Sequence, residues 1–388
     1  MAEPFDLIPV DILLKIVPAD HALIFGISCK QNWKLLQTHA FVRSIKARKH
    51  VNTRHRLEGL QRFFDTPNFL LELNLEKEPC NNANQGLRNA GCLDICSHLS
   101  SHVFLTDLNL AYNDIGSNGM HGLSNCLKHL TALTSLDLQG NAMRPRGARR
   151  LTPGLQCCTK LVRLRLGYNC LQATGMQTLQ KDLRNLKLLQ TIELSGNFLQ
   201  EPSVLDLYFF LEEKWNMTEL VLEKNRMGPE LGYALEVSKF KQLRVLNLHC
   251  TMLQATGFEY LSAGLKQCQG LTHLFLGWNN LRCLGAQYLS LVLPHIPLLQ
   301  VLDISCNFIE HEGLFYLRPS LSRLVSLKKL NLERNLLENQ SIPMLVVLAE
   351  TVTDLNVNFN NFVTESELFH VLYQALQKKS HHLASISA

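Results

Sequence analysis

No apolar run in this sequence approaches the roughly 18–20 residues that a membrane-spanning helix requires. The longest candidates, VLDLYFFL (204–211) and PMLVVLA (343–349), stop far short of it. A membrane partner is therefore not expected. The first residues also lack the basic flank, continuous apolar stretch and small-residue cleavage site of a secretory signal. A cytoplasmic, reducing location is the expectation that follows.

Catalytic signatures are missing as well. The chain has no G-x-x-x-x-G-K-[ST], G-x-S-x-G or H-E-x-x-H and no paired C-x-x-C, which removes the common phosphate-binding, acyl-transfer and zinc motifs. The 15 histidines are scattered singly, as surface or packing residues rather than ligands. No enzyme, no metal and no cofactor are expected. Twelve cysteines run from Cys29 to Cys306 without metal-type spacing. They read as free thiols packing as small apolar groups, with Cys92 and Cys96 on one helix face.

Charge of one sign is scarce except in one place. Between Arg43 and Arg62 stand seven basic residues against the single acid Glu58, a net +6 beside +5 for the whole chain. A solvated helix face explains such a run. No aromatic residue interleaves it between His50 and Arg62, so bases have nothing to stack on and a nucleic-acid partner is not expected.

What the chain has in abundance is leucine at a fixed beat. LTDLNLAYNDI (105–115), LTSLDLQGNAM (133–143), LVRLRLGYNCL (161–171) and LTHLFLGWNNL (271–281) are four of eleven copies of one motif, which starts weakly at LLELNLEKEPC (70–80) and ends at VTDLNVNFNNF (352–362). Asn113, Asn141, Asn169, Asn197 and Asn225 are 28 residues apart; a 26-residue step then puts Thr251 in the asparagine's place, and Asn279, Asn307, Asn335 and Asn360 follow. A sustained period of this size is the mark of a stacked repeat.

The motif explains its own structure. L-x-x-L-x-L has period two and makes a short strand with its leucines on one face. The asparagine follows where its amide can bond the backbone of the turn, so stacked copies would form a ladder. Leu123, Leu127 and Leu130 then recur at helical spacing, as on the buried face of an amphipathic helix. Strand and helix per repeat predict an α/β leucine-rich repeat solenoid, a horseshoe of about 11 repeats, with a parallel sheet inside and helices outside.

A 28-residue L-x-x-L-x-L-x-x-N-x-L repeat followed by a full helix resembles the ribonuclease-inhibitor-like class, over residues 70–380. The resemblance implies that fold; it names no ligand. Ran-type GTPase-activating proteins share the class, and Arg144 or Arg146 would be the arginine to consider, but no further motif of theirs is present.

Side chains between the strand leucines form the expected working face, turned toward an unknown target protein. The candidate contacts are Tyr112, Asp137, Arg163, Arg165, Tyr168, Glu193, Glu219, Glu223, His273, Phe275, Trp278 and Phe359. The strand rows together carry ten acids and six bases, so the face should be mildly acidic. Exposed aromatics beside charges have the composition of a binding hot spot.

Ahead of the repeats stands IPVDILLKIVPADHALIFGISCKQNW (8–33). Pro9 near a helix start, Ile12, Leu13 and Ile16 on one face, Pro18 as a stop and Asp20 as a second cap predict two short helices. The order I-P-x-D-I-L-x-K-I, then C-K and W-K, resembles an F-box. That resemblance implies docking on the Skp adaptor of a cullin–RING ubiquitin ligase through Ile8, Pro9, Ile12, Leu13, Ile16, Leu23 and Trp33. It also implies host cytoplasm as the location if the chain is a bacterial effector. One helical turn is missing between Ile16 and Asp20, and the alternative is a plain cap on the edge of the first repeat. The expected organisation is an F-box-like helical segment (1–45), a basic helical connector (46–69), the solenoid (70–363), and a cap helix with a frayed tail (364–388). A loop is expected at 78–91, and the chain alone is expected to be a monomer.

Overall fold

A computed structural model describes residues 72–76, 86–237 and 240–377, and the backbone of 12–17, 23–25 and 41–47. The chain forms two compact units, residues 1–193 and 194–388.

In the first unit the repeats supply strands β4 (Glu72–Asn74), β5 (Asp107–Asn109), β6 (Ser135–Asp137), β7 (Arg163–Arg165) and β8 (Thr191–Glu193), each parallel to its neighbour and in register. Helices α1 (Arg88–Leu99), α2 (Ser117–Leu127), α3 (Arg144–Leu155) and α4 (Gln172–Asn185) alternate with them. Leu108, Leu110, Leu136, Leu138, Leu164 and Leu166 leave the sheet on one side and are at most 1% exposed against Met120, Leu123, Leu151 and Leu179 of the helices. Each such side chain contributes about 1.5–3 kcal/mol of burial free energy.

In the second unit β9 (Glu219–Val221), β10 (Val245–Asn247), β11 (His273–Phe275), β12 (Val301–Asp303), β13 (Lys329–Asn331) and β14 (Asp354–Asn356) repeat the parallel pairing. Its helices are α5 (Val204–Leu211), α6 (Glu230–Val237), α7 (Gln254–Leu265), α8 (Arg282–Val292), α9 (Glu310–Leu321), α10 (Ile342–Thr351) and α11 (Glu367–Gln377). On α11, Phe369, Leu372 and Leu376 are buried and most other residues exposed, as on an amphipathic last helix.

The asparagines form the expected ladder within each unit. Asn141 donates Nδ2 to Leu110 O (3.0 Å) and Leu138 O (2.9 Å), and its Oδ1 accepts from Asn113 N (3.1 Å) and Ile115 N (2.9 Å). Asn307 repeats this geometry in the second unit. One repeat therefore ties itself to the one before through a buried side chain, satisfying turn amides that would otherwise be orphaned. At Thr251 the hydroxyl lies 2.9 Å from Leu248 O and 3.0 Å from Asn279 Oδ1, so its one proton replaces an amide that serves several partners elsewhere.

The front of the chain departs from expectation. Instead of helices, strands β1 (Ile12–Val17) and β2 (Leu23–Phe25) pair antiparallel, and β1 pairs antiparallel with β3 (Phe41–Ala47). β3 in turn runs parallel to β4, with Ser44 opposite Glu72 and Lys46 opposite Asn74. A six-residue, mostly apolar stretch does not distinguish helix from strand by its period, and ILLKIV has three β-branched residues, Ile12, Ile16 and Val17. The unpaired edge of β4 offers a row of backbone groups that a strand satisfies and a helix does not. The connector expected to be helical ends β3 at its first residues, Lys46 and Ala47; its remainder, most of the loop expected at 78–91 and the tail beyond 377 lie outside the described residues. Within that loop stretch, α1 already begins at Arg88.

Cysteine behaves as expected in part. Among the described residues all cysteines are free; Cys92, Cys96, Cys126, Cys158 and Cys268 are buried, and five others are half-buried.

Candidate protein-binding face

Strand side chains that do not enter the core line the sheet opposite the helices. Their accessibility follows a rule that residue type alone did not reveal. The middle residue of L-x-L is Asn or Asp in seven repeats, and its side-chain oxygen accepts from the amide two residues on. The pairs are Asn74–Glu76, Asn109–Ala111, Asp137–Gln139, Asn247–His249, Asp303–Ser305, Asn331–Glu333 and Asn356–Asn358, all at 2.9–3.1 Å. This is the local side-chain-to-backbone bond that Asn and Asp make at turns. Several amides of this column also hold the acids of the preceding row. Asn109 donates to Glu76 (3.1 Å), Asn247 to Glu223 (2.7 Å) and Asn356 to Glu333 (3.0 Å). Much of the acidity counted from the sequence is thus structurally engaged.

The exceptions to the column are Arg165 and Glu193 in the first unit and Val221 and Phe275 in the second. Arg165 bridges two carboxylates, Asp137 Oδ2 at 3.5 Å and Glu193 Oε2 at 3.7 Å, and is 42% exposed while they are 13% and 15% exposed. Burial holds the Asp137 carboxyl above its usual range, against the opposing pull of the Gln139 amide and Arg165. Asp137, expected as a partner contact, also braces Arg165. Arg163 is exposed beside it.

A second pattern lies at the rim. The residue before each ladder position is left-handed: Tyr112 (φ 59°), Tyr168 (55°), Lys224 (56°), Cys250 (57°), Trp278 (59°), Cys306 (53°), Arg334 (53°) and Phe359 (55°), with glycine at Gly140 and Gly196. Large L-residues there are held against a cost of about 1–2 kcal/mol each. Their amides bond the next repeat, as in Tyr112 N to Gln139 O (2.7 Å) and Trp278 N to Ser305 O (2.9 Å). A Cβ on Gly140 would stand 2.2 Å from the Tyr112 ring, so glycine there makes room for that tyrosine. Burial, then the Glu193 carboxylate, raises the Tyr112 hydroxyl above the ordinary phenol range.

In the second unit the rim carries the exposed aromatics. Trp278 is 53% exposed and Phe359 48%. Arg334 stacks over the Phe359 ring at 4.7 Å and pairs with Glu333. His273 and Phe275 lie with ring centroids 6.2 Å apart, and both are half-buried. The His249 ring closes over Gly277, where a Cβ would meet Nδ1 at 2.7 Å. Glu219 and Glu223 are half-buried on β9 and just beyond it, and Lys224 pairs with Glu223 at 3.4 Å. Thr191 and Ser195, on β8 and just beyond it, are buried.

Of the residues expected to dock an adaptor, Ile8, Pro9 and Trp33 lie outside the described residues. Ile12, Leu13 and Ile16 fall in β1 and Leu23 in β2, so the helical face that would have grouped them is not formed. Among the described residues no His, Cys, Asp or Glu cluster could hold a metal ion, and no helix is long and apolar enough to cross a membrane.

Comparisons with known proteins agree with this geometry. A family model described as Leucine Rich repeat matches residues 101–124, 129–151 and 157–179. No curated protein sequence matches. Among solved structures, the fold is similar to that of an internalin from Listeria monocytogenes, with a TM-score of 0.50 and 17% identity over 91% of this chain and 87% of that one. At that identity the likeness concerns the fold alone. The repeat motif, the asparagine ladder and the parallel strand–helix alternation together make this a leucine-rich repeat fold.

Proposed function

We propose that this chain is a non-enzymatic protein-binding scaffold that holds its partner on the strand face and rim. The observation that carries the reading is Trp278. A tryptophan more than half exposed and kept in a left-handed conformation adds little to the core and is costly to place there. Such a residue fits the role of an anchor for a partner. His273 and Phe275 flank it on β11, and Arg163 and Arg165 with Tyr112 and Tyr168 offer a second contact region in the first unit.

The test uses two substitutions with opposite structural expectations. Trp278→Gly relieves the backbone, so thermal stability should hold or rise, by about 1 kcal/mol at most. Trp278→Ala should leave stability nearly unchanged. Both should lose the proteins that the intact chain retains from extract. Retention unaffected by either substitution would refute the role, and a large drop in stability would make Trp278 structural.

A finer reading, recruitment of a bound target to a Skp–cullin–RING ligase, is supported by the residue order at 8–33 alone. The strands there count against a helical docking module. It would be sustained only by retention of Skp on the intact protein and its loss on Ile12→Asp with Ile16→Asp.

A further inference from the structure

The helix side of the second unit carries a feature that the strand face does not use. Tyr260, Tyr288 and Tyr316 are each the ninth residue after the ladder position, on α7, α8 and α9, and Tyr233 stands eighth on α6 in the shortened repeat. Four consecutive helices therefore present one tyrosine each. Tyr233, Tyr260 and Tyr316 are 58%, 51% and 42% exposed. The ring of Tyr233 meets that of Tyr260 edge to face at 6.0 Å, and burial, then the Glu259 carboxylate on the preceding helix, raises the Tyr288 hydroxyl above the ordinary phenol range. Tyr233 and Tyr260 thus meet across the groove between α6 and α7. In the first unit the ninth position holds Gly122, Arg150 and Thr178, so the stacking geometry does not require an aromatic there.

Adjacent packed helices lie about 8–10 Å apart. A polyproline II chain repeats every three residues with a rise of about 3.1 Å, or about 9 Å per turn. One turn of such a chain matches that general spacing of packed helices. Its backbone carbonyls have no internal partners and point outward, where tyrosine hydroxyls can donate to them. Proline rings pack against aromatic faces without a large entropy loss, because the chain is already extended. The charge at the stripe is acidic: Glu230 lies one turn before Tyr233, Glu259 adjoins Tyr260, Glu312 lies one turn before Tyr316, and all three are exposed.

We infer that the tyrosine stripe on α6–α9 is a second binding surface, and that it takes a proline-rich segment of another protein, prolines recurring every third residue, with basic residues at its ends. This surface is separate from the strand face and does not depend on the role of Trp278.

The test is a calorimetric titration of the full chain with a peptide of about twelve residues, Pro-Pro-Leu triplets flanked by arginines. A scrambled peptide of the same composition serves as comparison. The triplet peptide should bind and the scrambled one bind much more weakly. Tyr260→Ser and Tyr316→Ser should each weaken binding about tenfold, as truncation of an interface anchor does. Tyr260→Phe should fall between, and Glu259→Lys should weaken binding in a salt-dependent manner. Trp278→Gly should leave the titration unchanged. Equal binding of triplet and scrambled peptides, absence of binding, or indifference to the tyrosine substitutions would overturn the inference. Equal loss on Trp278→Gly would overturn it too, by placing the peptide on the strand face. Should the serine variants melt early, the triplet-against-scrambled comparison on the intact chain and the Glu259→Lys titration decide.

Discussion

Removing one rung of the asparagine ladder should cost far more than an ordinary polar substitution. Asn307 is fully buried. Its Nδ2 donates to Leu276 O (2.9 Å), Ile304 O (3.0 Å) and Ser305 O (3.0 Å), and its Oδ1 accepts from Asn279 N (3.0 Å) and Leu281 N (3.2 Å). In Asn307→Ala the three carbonyls keep other donors: Leu276 O keeps Asn279 Nδ2, Ile304 O keeps Asn335 Nδ2, and Ser305 O keeps Trp278 N. The two amides lose the acceptor they share. An orphaned buried amide costs about 1–3 kcal/mol, so the loss should be about 2–6 kcal/mol. Denaturant unfolding gives the total, and hydrogen exchange at Asn279 and Leu281 locates it, since protection there should fall first. Asn307→Thr, which copies the natural Thr251, should be the milder change. A loss below about 1 kcal/mol for Asn307→Ala, with those two amides still protected, would refute the account.

The converse change, Thr251→Asn, supplies the missing amide oxygen and should stabilise the second unit by about 1 kcal/mol in denaturant unfolding. Arg165→Ala leaves Asp137 and Glu193 facing each other, largely buried. Its destabilisation relative to the parent should be small near pH 4 and grow toward pH 7 as the Asp137 carboxyl, held above its usual range by burial, ionises, and melting at the two pH values checks this. Burial pushes the Cys158 and Cys268 thiols up to about 12 from 9.0. A pKa raised in the folded state means stability that is complete below about pH 9 and is lost as pH climbs toward 12. Cys158→Ala and Cys268→Ala should therefore flatten the alkaline fall in melting temperature.

Much of this protein is written in one dimension. Leu136 and Leu138 announce a strand, Leu151 and Leu155 a helix, and Asn141 the turn between them, because each depends on spacing that a linear chain displays. Trp278 and Phe359 were legible as candidate contacts for the same reason: they fall between core positions of a known period. That Asp137 also accepts from Gln139 N was not legible, because that bond is made through a local loop geometry that composition does not express. Its pattern was nonetheless present, as Asn or Asp recurring inside L-x-L.

Sequence alone determined the repeat, its strand and helix, the buried leucines and the ladder, since all follow from hydrophobic period and from where an amide must sit. Only the tertiary structure decided which face residues were already spent on their own backbone, and that the rim residues are left-handed. It alone brought tyrosines from four helices into one stripe, and paired Phe41–Ala47 with the edge of the first repeat. The stripe and the added strand depend on contacts between residues about 25–30 positions apart, as with Tyr233–Tyr260 and Ser44–Glu72, and it is the groups met there that choose among conformations the local sequence leaves open.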